Sequence, residues 1–134
     1  MPVSNELVLF YYPGPAPEAA KARAVFARMG VRIKTITPDL LGESLGYLAG
    51  LAGFGPGGQS AQEPAPPDPI LVLCNFAGHR LDALLQGLRK AGVPRTVYKA
   101  VLTPSNAPWT LPALARELAD ERAALEGGSD KERR

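Results

Sequence analysis

The stretch ILVLCNFAGHRLDALLQGLRKAGVP, residues 70–94, decides the fold class of this chain. Its first part is an uninterrupted apolar run, which predicts a buried strand, and the part after residue 80 has the apolar spacing of an amphipathic helix. Gly92 and Pro94 are typical of the end of such a helix. A buried strand followed at once by an amphipathic helix is half of a βαβ unit, so the sequence predicts an α/β protein.

The remaining elements repeat this alternation of strand and helix. Strands are predicted at residues 6–12, 31–36, 70–76 and 96–102. Helices are predicted at 17–30, at 37–50, in the segment that follows residue 80 and stops at Gly92, and at 111–125. The first and third strands are continuously apolar, which indicates central positions, whereas the other two carry basic residues, as edge strands do. Right-handed crossovers then predict a small, open, parallel four-stranded sheet of order 2-1-3-4. The expected fold is a flavodoxin-like βαβαβαβα arrangement with helices on both faces.

Length and composition predict one domain. The chain has 134 residues, and we expect residues 1–126 to form a single α/β domain that contains a mobile Gly/Pro-rich loop at 55–69. Residues 127–134 are predicted to be a polar, disordered tail. The net charge is only +2 and the basic residues are scattered, which does not favour nucleic acid as a partner.

The single cysteine and the short apolar runs indicate where the protein works. With Cys74 alone the chain cannot form an internal disulfide, which fits a reducing compartment. The longest aliphatic run is far too short to span a bilayer. We therefore expect a cytoplasmic protein that does not bind membranes.

One candidate ligand site lies where the third predicted strand meets its helix. The first residues after a strand of a parallel sheet face its usual binding edge, so Tyr12 is expected to lie opposite Asn75 there. Gly78, His79 and Arg80 lie between this strand and the start of the following helix, where free amides and the helix dipole favour an anion and Arg80 can add a contact. The alternative is an ordinary tight turn with solvated side chains.

An enzymatic alternative starts from the segment CNFAGHR. Cys74 and Arg80 have the spacing found in cysteine-dependent phosphatases, in which the loop amides and an arginine hold the phosphate. However, Leu73 and Leu81 stand where those enzymes have a histidine and a hydroxyl residue. A buried strand cysteine is the simpler interpretation, so no catalytic residue is assigned.

Three glycines with helical spacing form a candidate interface. Gly42, Gly46 and Gly50 would share one face of the second predicted helix, next to Tyr47. Interior glycines each destabilise a helix by about 1 kcal/mol relative to alanine, so close packing must favour them. The face packs either on the protein's own sheet, which we prefer, or on a partner or second subunit. The chain is accordingly expected to be a monomer or a weak homodimer.

The loop after the fourth predicted strand adds polar and aromatic candidates. Thr103, Asn106 and Trp109 would lie at the same edge of the sheet as the anion site. The sequence shows no metal-ligand spacing and no cofactor motif, so neither a metal nor a cofactor is predicted.

Four blocks resemble a family of small bacterial proteins known only as a domain of unknown function. The blocks are RMGVRIK at 28–34, GYLAGLAGF at 46–54, LRKAGVP at 88–94 and KAVLTPSNAPWT at 99–110. The resemblance draws attention to the glycines and Phe54 of the second block and to the Thr103–Thr110 loop, but it implies no substrate. The sequence as a whole predicts a non-catalytic module that binds a small anion or a protein partner.

Overall fold

The computed structural model describes residues 6–14, 17–56, 64–94 and 97–132, with side chains through residue 125. The strands are β1 (Leu7–Tyr11), β2 (Arg32–Thr35), β3 (Ile70–Cys74) and β4 (Tyr98–Val101), and the helices are α1 (Pro17–Met29), α2 (Leu45–Leu48), α3 (Gly78–Ala91) and α4 (Leu111–Glu132). All four predicted strands are therefore present, each within about two residues of its expected ends.

The sheet has the predicted order β2-β1-β3-β4, but it is mixed and not parallel. β1 pairs parallel with β2, and β3 pairs parallel with β4, whereas the central pair β1 and β3 is antiparallel. The prediction of an all-parallel, flavodoxin-like sheet is therefore wrong. Continuous apolar composition shows only that a strand is covered on both faces, and antiparallel central strands meet that condition equally well.

Each face of the sheet carries a core of its own. On one face α1 and α3 pack side by side, with Val25, Phe26, Leu84 and Leu88 buried against β1 and β3. On the other face the segments around α2 and α4 cover the sheet; buried members of this cluster are Leu7, Leu9, Leu45, Leu48, Val72, Cys74, Leu111 and Leu114. The prediction of helices on both faces is confirmed.

The structure shows that the chain consists of two equivalent βαβα halves. Leu7 pairs with Arg32 in the first half, and Ile70 pairs with Tyr98 in the second, at matching positions of their strands. Because the two central strands are antiparallel, an approximate two-fold axis perpendicular to the sheet relates the halves. Under this axis β1 superposes on β3, and β2 superposes on β4.

Backbone hydrogen bonds repeat at the same places in both halves. The N–H of Val31 donates to the carbonyl of Phe26 at 2.9 Å, and the N–H of Val93 donates to the carbonyl of Leu88 at 3.0 Å. Both bonds close the end of a helix whose next residue is a glycine with positive φ, at +72° in one half and +91° in the other. The likeness of the halves thus extends from the strands to the helix ends.

The axis passes close to the residues that start α2 and α4. Ser44 and Thr110 form an antiparallel bridge with each other, as equivalent residues do when they meet on a two-fold axis. Each also caps its own helix, because the Ser44 hydroxyl accepts from the N–H of Tyr47 and the Thr110 hydroxyl accepts from the N–H of Ala113. Equivalent loops of the two halves therefore contact each other on the face covered by α2 and α4.

Two helix predictions need correction. The helix expected at 37–50 is a single 3-10 turn, Pro38–Leu40, followed by the one-turn α2, because Ser44 starts a new helix. The last helix was predicted to end at residue 125, but α4 extends to Glu132, into the predicted polar tail.

The predicted mobile loop at 55–69 lies partly outside the described residues, which resume at residue 64. Its described end is packed: Pro66 is buried, and its carbonyl accepts a hydrogen bond from the Tyr11 hydroxyl at 2.7 Å. This bond holds the chain against the end of β1 directly before β3 begins.

Candidate functional site

The mixed sheet separates two groups of predicted site residues. Tyr11 pairs with Ile70 at the start of β3, so Tyr12 lies at the opposite edge of the sheet from Asn75. The Tyr12 ring stacks on Phe10 with centroids 4.9 Å apart. The prediction that Tyr12 faces Asn75 is wrong, because it depended on a parallel central pair.

Asn75 and Thr103 do meet, because β3 and β4 are parallel and end at the same edge. They line a cavity of about 460 Å³ together with Pro104 and Phe54. Asn75 is exposed and has a φ of +68°, a left-handed conformation that asparagine tolerates better than most residues. The structure thus brings together two predicted site residues, Asn75 from the loop after β3 and Thr103 from the loop after β4.

The other candidates of the second loop brace the loop itself. The Asn106 side chain accepts a hydrogen bond from the Thr103 N–H at 2.9 Å and donates one to the Val101 carbonyl at 3.0 Å, and only 9 % of the residue is exposed. Trp109 packs against the core on the α2/α4 face, and its carbonyl accepts from the Leu45 N–H. Asn106 and Trp109 therefore stabilise the loop through these contacts.

Arg80 forms a clamp between three elements. Its guanidinium donates two hydrogen bonds to the Glu6 carboxylate, at 2.8 and 2.6 Å, and one to the Met29 carbonyl at 2.8 Å. The hydrogen bond to Glu6 raises the pKa of Arg80 further above its usual range. Arg80 would have to give up these bonds to hold an anion, while Gly78 and His79 beside it are exposed.

Cys74 is fully buried, and its surroundings are apolar. It belongs to the cluster on the α2/α4 face, whereas Arg80 lies on α3, which packs on the opposite face. Burial raises the pKa of the thiol from 9.0 to about 12. A thiol in this state is not a nucleophile at neutral pH, so the geometry does not favour the phosphatase alternative.

Alkylation tests this assignment of Cys74. We expect iodoacetamide to leave the thiol of the folded protein unmodified at neutral pH and to react after unfolding in urea. Above about pH 9 only the unfolded thiol ionises, so the free energy of unfolding should fall as the pH rises toward about 12. Cys74→Ala should lack this added pH dependence, and rapid alkylation of the folded protein at neutral pH would restore the phosphatase alternative.

The predicted glycine face does not exist as one surface. Gly46 is the only one of the three glycines inside α2, while Gly42 precedes the helix and Gly50 follows it with a φ of +79°. A Cβ built on Gly46 would lie 2.6 Å from the Phe54 ring, so this position requires glycine because the ring packs on its Cα. The contact is intramolecular, but Gly46 makes it with Phe54 of the following segment and not with the sheet that the preferred interpretation named.

A wide groove lies beside β2, on the face that carries α2, and we call it the β2 groove. It has a volume of about 720 Å³, and Leu7 and Leu48 contribute apolar surface to it. Arg32 and Lys34 line it as well, and both are exposed. They point to the same face because side chains two positions apart in a strand do so.

The sequence interpretation passed over these residues. The sequence pattern uses Arg32 and Lys34 only as signs of an edge strand, and it predicts Tyr47 at an interface through its neighbouring glycines. Tyr47 does line the β2 groove. The alternation of apolar and basic residues in VRIKTI was the available signal, because it places both cations on one face.

Two classes of feature are absent from the described part of the chain. No group of three or more His, Cys, Asp or Glu side chains there could hold a metal ion. No helix in the described ranges has the length and apolar character needed to cross a membrane.

Comparison with known proteins gives one match. Residues 69–125 match a family described as Domain of unknown function (DUF3783), which confirms the resemblance over that part of the chain. The matched segment begins just before β3 and ends within α4, so it spans the second βαβα half. The blocks at 88–94 and 99–110 lie inside it. No curated protein and no solved structure matches the chain.

Proposed function

We propose that this protein is a non-catalytic interaction module that binds a protein partner in the β2 groove. The observation that carries the proposal is a difference between the two halves. In the second half, α4 covers the outer strand, and Arg122 lies 3.9 Å above the Tyr98 ring. In the first half α2 ends after one turn, so no helix among the described residues covers the surface beside the equivalent strand.

The chemistry of the open surface supports a macromolecular partner. Leu40, Tyr47 and Ala49 line the groove and are only half-buried, and Arg32 and Lys34 lie beside them. Apolar surface flanked by charge is typical of protein interfaces, where the apolar part contributes affinity and the charges contribute orientation. The groove is also much wider and more open than a small anion requires.

The enzyme alternative lacks comparable support. Cys74, the last residue of β3, is fully buried, and Arg80 is paired with Glu6. A lone buried cysteine fits a reducing compartment. A location in the bacterial cytoplasm is therefore part of the proposal.

Photo-crosslinking in the native host tests the proposal. p-Benzoylphenylalanine in place of Tyr47, which lines the groove, should give a discrete crosslinked protein. The matched control places the same amino acid at Tyr98, on the equivalent surface that α4 covers, and should give none. Equal crosslinking from both positions, or none from Tyr47, would contradict the proposal.

A further inference from the structure

We infer that the occupant of the β2 groove is an acidic amphipathic α-helix of a partner protein. The inference rests on the proposed function and adds the partner's chemistry. It follows from comparing the way in which α4 covers β4 in the second half with the β2 groove in the first half.

The second half shows how such a surface is covered. Leu111 and Leu114 of α4 are buried in the core, and Ala115 and Leu118 pack against it one turn further on. The apolar stripe of a helix therefore lies along this side of the sheet. Arg122 then places its guanidinium over Tyr98, so a cation on the helix meets an aromatic ring on the outer strand.

The first half has the equivalent strands, but its helix α2 stops after one turn where α4 continues. The C-cap of α2 is Ala49, and Gly50 adopts a φ of +79°, which turns the chain away. A continuation of α2 would have run over β2 as α4 runs over β4, because Leu45 and Leu48 are equivalent to Leu111 and Leu114. Within the described ranges, the groove is thus the uncovered counterpart of a surface that α4 covers in the second half.

The two strands differ in the charge that they present. Arg32 is equivalent to Tyr98, and Lys34 is equivalent to Ala100. Both basic side chains are exposed. A helix with arginine at the position of Arg122 would be repelled here, and a helix with carboxylates would be attracted.

The spacing of the cations also suits a helix. Residues two apart in a strand are roughly 7 Å apart, and carboxylates one turn apart on a helix are about 5–6 Å apart. One acidic pair at i and i+4 can therefore approach Arg32 and Lys34 together. The apolar residues of the same helix would cover the half-buried Tyr47 and Ala49.

Two peptides from this chain test the inference by fluorescence anisotropy on the full-length protein. The acidic probe is residues 111–125 with Arg116→Glu and Arg122→Glu, and the control is the same segment unchanged. The acidic probe should bind about tenfold more tightly than the control, because it replaces the arginine that would face Arg32 by a carboxylate and makes the peptide more negative. Its helix content should rise on binding, as measured by circular dichroism.

Charge reversal in the groove provides the reciprocal test. The Arg32→Glu/Lys34→Glu protein should lose about tenfold in affinity for the acidic probe and should bind the unchanged peptide better than wild type does. Lys21→Glu/Arg28→Glu, on the exposed side of α1, makes the same charge change elsewhere and should bind both peptides as wild type does. Thermal melting confirms that each variant is folded.

The outcomes separate this inference from the proposed function. Equal binding of both peptides, or no binding of either, overturns the inference of an acidic helix. A labelled RNA or DNA oligonucleotide that binds more tightly than the acidic probe, and whose binding depends on Arg32 and Lys34, overturns it as well. A self-association that Arg32→Glu/Lys34→Glu abolishes would replace the partner helix by a second copy. If crosslinking from Tyr47 still captures a protein in these cases, the interaction module stands and only its partner class changes.

Discussion

Gly46→Leu should lower the free energy of unfolding by about 1–3 kcal/mol, because it forces a side chain into the space occupied by the Phe54 ring. The higher helix propensity of leucine offsets at most about 1 kcal/mol of this loss. Urea denaturation measures the change. The matched control is Gly55→Leu, since a Cβ at Gly55 meets nothing within 4 Å, and this variant should remain close to wild type.

The same variant decides between packing and association at α2. Gly46→Leu should be a destabilised monomer, as measured by size-exclusion chromatography with light scattering. If wild type is instead a stable dimer and Gly46→Leu is a well-folded monomer, the glycine belongs to a subunit interface. That result would return Gly46 to the interface role considered from the sequence.

Arg80→Ala should lower the melting temperature by several degrees, because it removes three hydrogen bonds that tie α3 to Glu6 and to the end of α1. Only 10 % of the Glu6 side chain is exposed, so its carboxylate would be left largely desolvated without its partner. Arg89→Ala, on an exposed position of the same helix, is the control and should have little effect.

Phosphate distinguishes a clamp from an anion ligand at Arg80. If the arginine is a clamp, phosphate should not stabilise wild type, and amide resonances of residues 75–81 should not shift on titration. Phosphate-dependent shifts that Arg80→Ala abolishes would show that the arginine leaves Glu6 to bind an anion. The melting and titration experiments together therefore separate a structural from a ligand-binding role.

The apolar and polar pattern of the sequence determined the elements and the strand order. Each strand run is short and bounded by turn residues, so its identity depends on local composition alone. The basic residues of VRIKTI and TVYKAVL correctly indicated edge strands, because an edge strand leaves part of its surface in water. These properties follow from the burial of each segment, and local hydrophobicity predicts burial.

The same pattern could not predict the relative direction of the two central strands. β1 and β3 are apolar throughout and pair antiparallel, yet the same composition would have served a parallel pair. The direction is decided by the route from β2 to β3, in which the one-turn α2 and the buried Pro66 bring the chain back to the edge where β1 ends. Tyr12 was misplaced for this reason alone.

Only the tertiary structure assigned roles to the candidate residues. Arg80 is a plausible anion ligand in the sequence, but Glu6 lies far from it along the chain and reaches it only through the antiparallel pairing of β1 and β3. The β2 groove likewise exists because α2 stops where α4 continues, a difference visible only once the two halves are superposed. Sequence patterns report which segments are buried, whereas partner choice and open surfaces depend on contacts between residues far apart in the chain.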